Sequence, residues 1–217
     1  MKEVLYKNLN MKSGLALILI FTFMVWGWYN WHEKRQYEDY ITNSMMSDDL
    51  WHVSHSSEEA MNVMEDVITT KTITPEQASA LSREFSRIHE LTWKYEAMAH
   101  EFDRVGERDD LGIGSETSLA AGDIARYFKN LSDELGESKQ IPEDKLKRYQ
   151  SVLNLTSGWY QVDQDVFGPD TMERLKESGI QSDLWVQYLM ALQKSTINTV
   201  EDIPVTVEIL DFDAYLE

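Results

Sequence analysis

Apolar and polar positions alternate in two distinct ways along this chain. From Gly14 to Trp31 there are 18 residues without a charge, with LALILIFTFMVWGWYNW filling Leu15 to Trp31. After that run the apolar residues return every three or four positions, the period of one face of a helix. A bilayer core of about 30 Å needs roughly 20 mostly apolar residues in a helix. The first run therefore reads as a short membrane span over 14–31. Trp26, Trp28, Tyr29 and Trp31 gather at its C-terminal end, as amphipathic rings do at a membrane interface. Lys2, Lys7 and Lys12 precede it, whereas Lys34 and Arg35 follow together with Glu33, Glu38 and Asp39. That bias favours a cytoplasmic N-terminus, with Lys12 at the inner interface and the bulk of the chain outside. The rival reading is a cleaved signal peptide. Val25 and Gly27 supply small residues, but Trp26 and Trp28 crowd the cut and no Ala-x-Ala is present.

The second pattern predicts an all-α body. Ser47-Asp48-Asp49 opens a helix to about Thr69, with acids in its first turn. Thr74-Pro75-Glu76-Gln77 is a fuller start signal: a capping residue, Pro at the first helical position and Gln to complete a capping box. The helix that follows carries one seam, Leu81, Phe85, Ile88, Thr92, Tyr95, Ala99 and Phe102. Gly106 to Glu116 breaks the period as a loop, and a helix resumes near Ser115 and runs to Gly136. Ile141-Pro142, Gly168-Pro169-Asp170 and Ser182-Asp183 each announce another. After Pro204, Val205, Val207 and Ile209 alternate as a short strand or extended arm that has no partner in a helical body. The expected architecture is a transmembrane helix followed by an antiparallel bundle of about five or six helices. The expected divisions are a cytoplasmic N-terminus at 1–13, the anchor at 14–31, the ectodomain at 32–203 and the arm at 204–217.

Charge narrows the function classes. The chain holds 20 Lys and Arg against 38 Asp and Glu, a formal charge of −18. Beyond residue 32 the balance is 17 basic to 37 acidic residues. A nucleic-acid backbone is bound by Lys and Arg that displace its counterions, so nucleic acid is not expected as a partner. There is no Cys, which removes disulfides, thiolate metal sites and thiol nucleophiles.

Several residue groups invite a chemical reading. His52 and His55 are three apart, with Asp48 and Glu59 each four from one of them, so all four share a helical face suited to Zn²⁺ or Cu²⁺. Acids at a helix start beside surface His explain the same pattern without a metal. His89 and His100 are eleven residues apart, about 16 Å along a helix, too far to share an ion. Asp163 to Asp170 opens like a calcium loop, but Phe167 and Arg174 stand where ligands are needed. The glycines of LGIGSETS precede a helix start with no Lys behind them, so loop geometry explains them. Trp51, Trp93, Trp159 and Trp185 suit either a sugar cleft or a helical core. No Gly-x-Ser-x-Gly occurs.

The chain is therefore expected to be a non-catalytic, single-pass protein of the plasma membrane. It meets the lipid bilayer through 14–31, and its acidic helical ectodomain binds, stabilises or regulates another membrane or envelope protein. No cofactor is expected. Val205, Val207, Ile209 and Phe212 are the candidate docking residues of the arm. The alternatives are an extracytoplasmic metal or ligand sensor using the His52/His55 face, and a membrane-tethered envelope hydrolase.

Overall fold

The computed structural model describes residues 19–36, 47–102, 104, 114–168, 173–174 and 183–201. The first helix, α1, covers 19–36 and is exposed along its whole length. Leu19, Ile20, Phe21, Phe23, Met24, Val25 and Trp26 are between 49% and 68% exposed. Among the described residues no helix is long and apolar enough to cross a membrane. The span expected over 14–31 is thus not carried by α1 alone, and the reason is length. Its uncharged part, 19–31, rises about 20 Å, and its last turn holds Glu33, Lys34 and Arg35. Residues 14–18 and Lys12 lie outside the described residues.

Among the described residues five helices form the body: α2 (Ser47–Thr70), α3 (Pro75–Glu101), α4 (Ser115–Glu134), α5 (Glu143–Val166) and α6 (Leu184–Glu201). The all-α class is as the periodicity predicts. On α2 the buried Leu50, Val53, Ser57, Ala60, Met64 and Val67 step by three and four, with Ser56 buried beside Ser57. On α3 the seam begins a turn earlier than expected, at Ala78, and runs through Leu81, Phe85, Ile88, Thr92, Tyr95 and Ala99. Phe102 leaves it: it is the C-cap, the chain turns away there, and its ring is 44% exposed. The expected capping box is present, with Gln77 N–H donating to Thr74 Oγ1 at 3.2 Å and Thr74 N–H donating to Gln77 Oε1 at 2.9 Å.

The helices close a ring in the order α2–α3–α4–α6–α5–α2. Small residues let α3 and α4 approach closely. Ser82 Oγ donates to the Ala125 carbonyl at 3.0 Å, and a Cβ on Gly122 would stand 3.0 Å from His89 Nδ1. Phe85 sits at the centre, 6.2 Å from both Phe128 and Trp159 by ring centroids. Asp49 pairs with Lys94, Ser118 with His89, and the Phe167 ring packs at a tilt against Tyr188. These contacts put the start of α2, the end of α3 and the starts of α4 and α6 at one end of the ring. The other end holds the α2–α3 turn, the end of α4 and the start of α5.

That second end carries an element the periodicity did not predict. Thr72–Ile73 (β1) pairs antiparallel with Lys139–Gln140 (β2), with Thr72 opposite Gln140 and Ile73 opposite Lys139. Ile141 N–H extends the ladder to the Lys71 carbonyl at 2.9 Å. Lys71 has φ 53°, the left-handed conformation that ends helices and more often falls to Gly. Two-residue strands show no alternation, so hydropathy is blind to them. The expected C-terminal arm, with Val205, Val207, Ile209 and Phe212, and the helix start at Pro169 lie outside the described residues.

Candidate functional site

The four residues of the His52/His55 face, Asp48, His52, His55 and Glu59, all lie on α2. Among the described residues no group of three or more His, Asp or Glu side chains converges as a metal site would. His52 Nε2 lies 3.8 Å from Asp48 Oδ2, and its Nδ1 is buried without a hydrogen-bond partner. The His55 ring stacks on Trp51, with centroids 4.9 Å apart and planes within 9°. Glu59 is exposed to solvent.

The acid that matters at this helix start is Asp49, which periodicity did not single out. Its Oδ2 accepts from Lys94 Nζ at 2.6 Å and from Tyr95 Oη at 2.9 Å, tying α2 to α3. Burial first, then the neighbouring Asp49 carboxylate, holds the Tyr95 phenol well above its ordinary range. Ten positions before Lys94 on α3, Glu84 makes a second cross-helix anchor. Its buried carboxylate accepts from Ser56 Oγ at 2.9 Å, Arg83 Nε at 2.8 Å and Arg87 Nη1 at 3.2 Å. Glu84 is a buried charge satisfied within the bundle, whereas the Asp49–Lys94 pair is partly exposed.

The remaining sequence candidates are structural. His89 Nδ1 contacts the Ser118 carbonyl at 2.8 Å and pins α3 to α4. Gln193 Oε1 accepts the Glu116 N–H at 3.0 Å, so a side chain of α6 occupies an amide at the start of α4 that an anion would need. Asp163 is buried within α5 rather than open in a cation loop. Trp159 and Trp185 are fully buried, Trp93 is 64% exposed, and Trp51 stacks on His55.

The membrane-interface residues fare differently. Trp26, Trp28, Tyr29 and Trp31 are each 55% exposed or more. Trp28 stacks on His32 with centroids 5.5 Å apart, and the Arg35 guanidinium lies 5.3 Å from the Trp31 ring centre. These contacts stay within α1. The body has four further exposed large apolar side chains among the described residues: Trp93, Phe102, Leu119 and Met190. All four fall in the half of the bundle that holds the start of α2, where the chain arrives from α1.

At the opposite end lies a cavity of about 380 Å³ between α4, α5 and the ribbon. Tyr127, Phe128 and Tyr149 line it and meet each other edge to face, with centroids 5.1–6.5 Å apart. The Tyr127 and Tyr149 hydroxyls are hydrogen-bonded at 3.1 Å. Burial raises both phenols; for Tyr127 the Tyr149 hydrogen bond and Arg148 oppose the shift. Lys139, Lys145 and Arg148 also line the cavity, against one acid, Glu134. The signal for it was in the sequence: KQIPEDKLKR puts four basic residues into ten positions of an acidic chain. Periodicity passes over them because they lie on the polar face. No family model, curated protein or solved structure matches this chain.

Proposed function

We propose that this chain is a membrane-anchored, non-catalytic interaction protein. Residues 14–31 hold it in the bilayer, and the acidic bundle docks on a second protein of the same membrane or envelope. The exposed apolar face of α1 carries the reading. Seven consecutive-turn residues from Leu19 to Trp26 are about half exposed or more. Apolar surface on that scale is stable only when lipid or protein covers it. The uncharged run begins five residues before α1, which extends the apolar length toward that of a span. The Lys balance across the run favours an inner N-terminus and an outer bundle.

The partner half of the proposal rests on where the body's apolar side chains are exposed. Trp93, Phe102, Leu119 and Met190 lie in the half that holds the start of α2, the first part of the body to follow α1 in the chain. A neighbour in the same membrane would meet that half first, and an exposed Trp is the residue type most often found at the energetic centre of an interface.

Alkaline carbonate extraction of membranes from cells making the full chain tests the anchor. The protein is expected in the pellet, and Phe21→Lys with Met24→Lys is expected to release it, since each central Lys costs about 2.5–3.5 kcal/mol. Recovery of the unaltered chain in the soluble fraction would overturn the anchor. Gentle solubilisation and co-purification test the partner. Trp93→Ala should lose the co-purifying protein while leaving helicity unchanged; equal recovery with both chains sinks the docking face.

A further inference from the structure

We infer that the cavity between α4, α5 and the β1–β2 ribbon is a binding site for a small aromatic carboxylate. Three observations carry this independently of the anchor. The first is charge. The cavity is lined by three cations and one anion, in a chain whose formal charge is −18. Local sign is therefore inverted, and an anion repelled by most of the surface is attracted here. A divalent metal would find the wrong sign.

The second is the wall. Tyr127, Phe128 and Tyr149 present rings in mutually perpendicular pairs, with interplanar angles of 70–76°. Ile73, Ile141 and Val152 complete an apolar floor. A flat ring has edge and face partners in such a wall. An inorganic phosphate would leave it unfilled. The third is size: about 380 Å³ lies within the usual range for small-molecule sites, roughly 300–1,000 Å³. The ring then lies against Phe128 and Tyr149 while the carboxylate reaches Arg148 and Lys145 at the mouth. Arg148 offers the planar fork that suits a carboxylate, and Lys145 a mobile point charge. Both phenols stay neutral at physiological pH, so neither opposes the anion.

The cavity lies at the end of the bundle away from the start of α2. A ligand there would enter without passing the half that carries Trp93 and Leu119, so its site is separate from the proposed docking face.

The test is calorimetric titration of the full chain in lipid nanodiscs with 2-naphthoate, 2-naphthylmethanol and 2-naphthylmethylammonium. Empty nanodiscs measure partition into lipid. Saturable one-site binding of 2-naphthoate is expected, about tenfold tighter than the alcohol, with none of the ammonium, the usual order for a charge-assisted contact. Arg148→Gln and Lys145→Gln, checked for unchanged helicity, should each weaken 2-naphthoate about tenfold and leave the alcohol unchanged. Glu134→Gln should strengthen it. Equal binding of all three compounds, or equal binding by the charge variants, overturns the proposal. So does absence of binding to the full chain. In that event, carbodiimide cross-links from Lys139 or Lys145 to Asp211 or Asp213 would assign the cavity to the chain's own acidic C-terminal segment.

Discussion

Thr196 shows how a single hydroxyl organises the interior. Its Oγ1 donates to the Leu192 carbonyl at 2.9 Å and lies 2.9 Å from both Trp159 Nε1 and Thr117 Oγ1. With its own proton committed to Leu192, it accepts from the indole and from Thr117. All three residues are buried, so three helices meet on one oxygen. Valine has the same shape and no acceptor. Thr196→Val is therefore expected to cost roughly 2–4 kcal/mol, because two buried donors lose their partner. Denaturant melts of the two chains measure it. Adding Thr117→Val should recover part of the loss; a further loss of the same size would mean that packing, not polarity, sets the cost. Neither threonine stands out in the sequence, where both read as ordinary polar positions on amphipathic helices.

The elements differ in how locally they are specified. α3 carries its own instructions: a reciprocal capping box at Thr74 and Gln77, Pro at the first position and an unbroken seam of 3–4 steps. Thr74→Ala removes the acceptor for Gln77 N–H and is expected to cost about 1 kcal/mol, seen as a lower thermal midpoint. No change in the midpoint would show that tertiary contacts alone hold the start of α3. α4 lacks such a cap. Its first residue follows Gly114 at φ 85° with no side-chain capping bond, and Gln193 from α6 supplies the missing acceptor. One helix start is thus written beside itself, the other on a helix 77 positions away.

The bundle as a whole stores its pH response in tyrosine. Tyr95, Tyr127, Tyr149 and Tyr188 all have phenols raised above the ordinary value of 10.0 by burial. In the unfolded chain they ionise near that value. The folded state therefore keeps more protons above pH 10, and the stability tied to them is full below that pH and falls as pH rises through the folded values. Each phenol contributes a slope of up to about 1.4 kcal/mol per pH unit. Cooperative unfolding above about pH 10 is expected, with phenolate absorbance and loss of helicity rising together. Ionisation of all tyrosines with the helices intact would contradict the burial of these rings.

The sequence by itself determined what depends on neighbours within a turn or two: the helical class, the capped start of α3 and the buried seam along it. Those follow from the 3.6-residue period and from short-range capping. It also marked 14–31 as the apolar run, while the length of the described part of α1 left its crossing of a membrane a proposal. The tertiary structure decided everything that depends on residues far apart in the chain. It set Asp49 against Lys94 and Tyr95, paired residues 72–73 with 139–140, and gave Glu84 its partner Ser56. The cavity shows both sides. Its basic residues are legible in KQIPEDKLKR, but that they border three aromatic rings is a fact of helix packing, because periodicity says which face is buried and not what it is buried against.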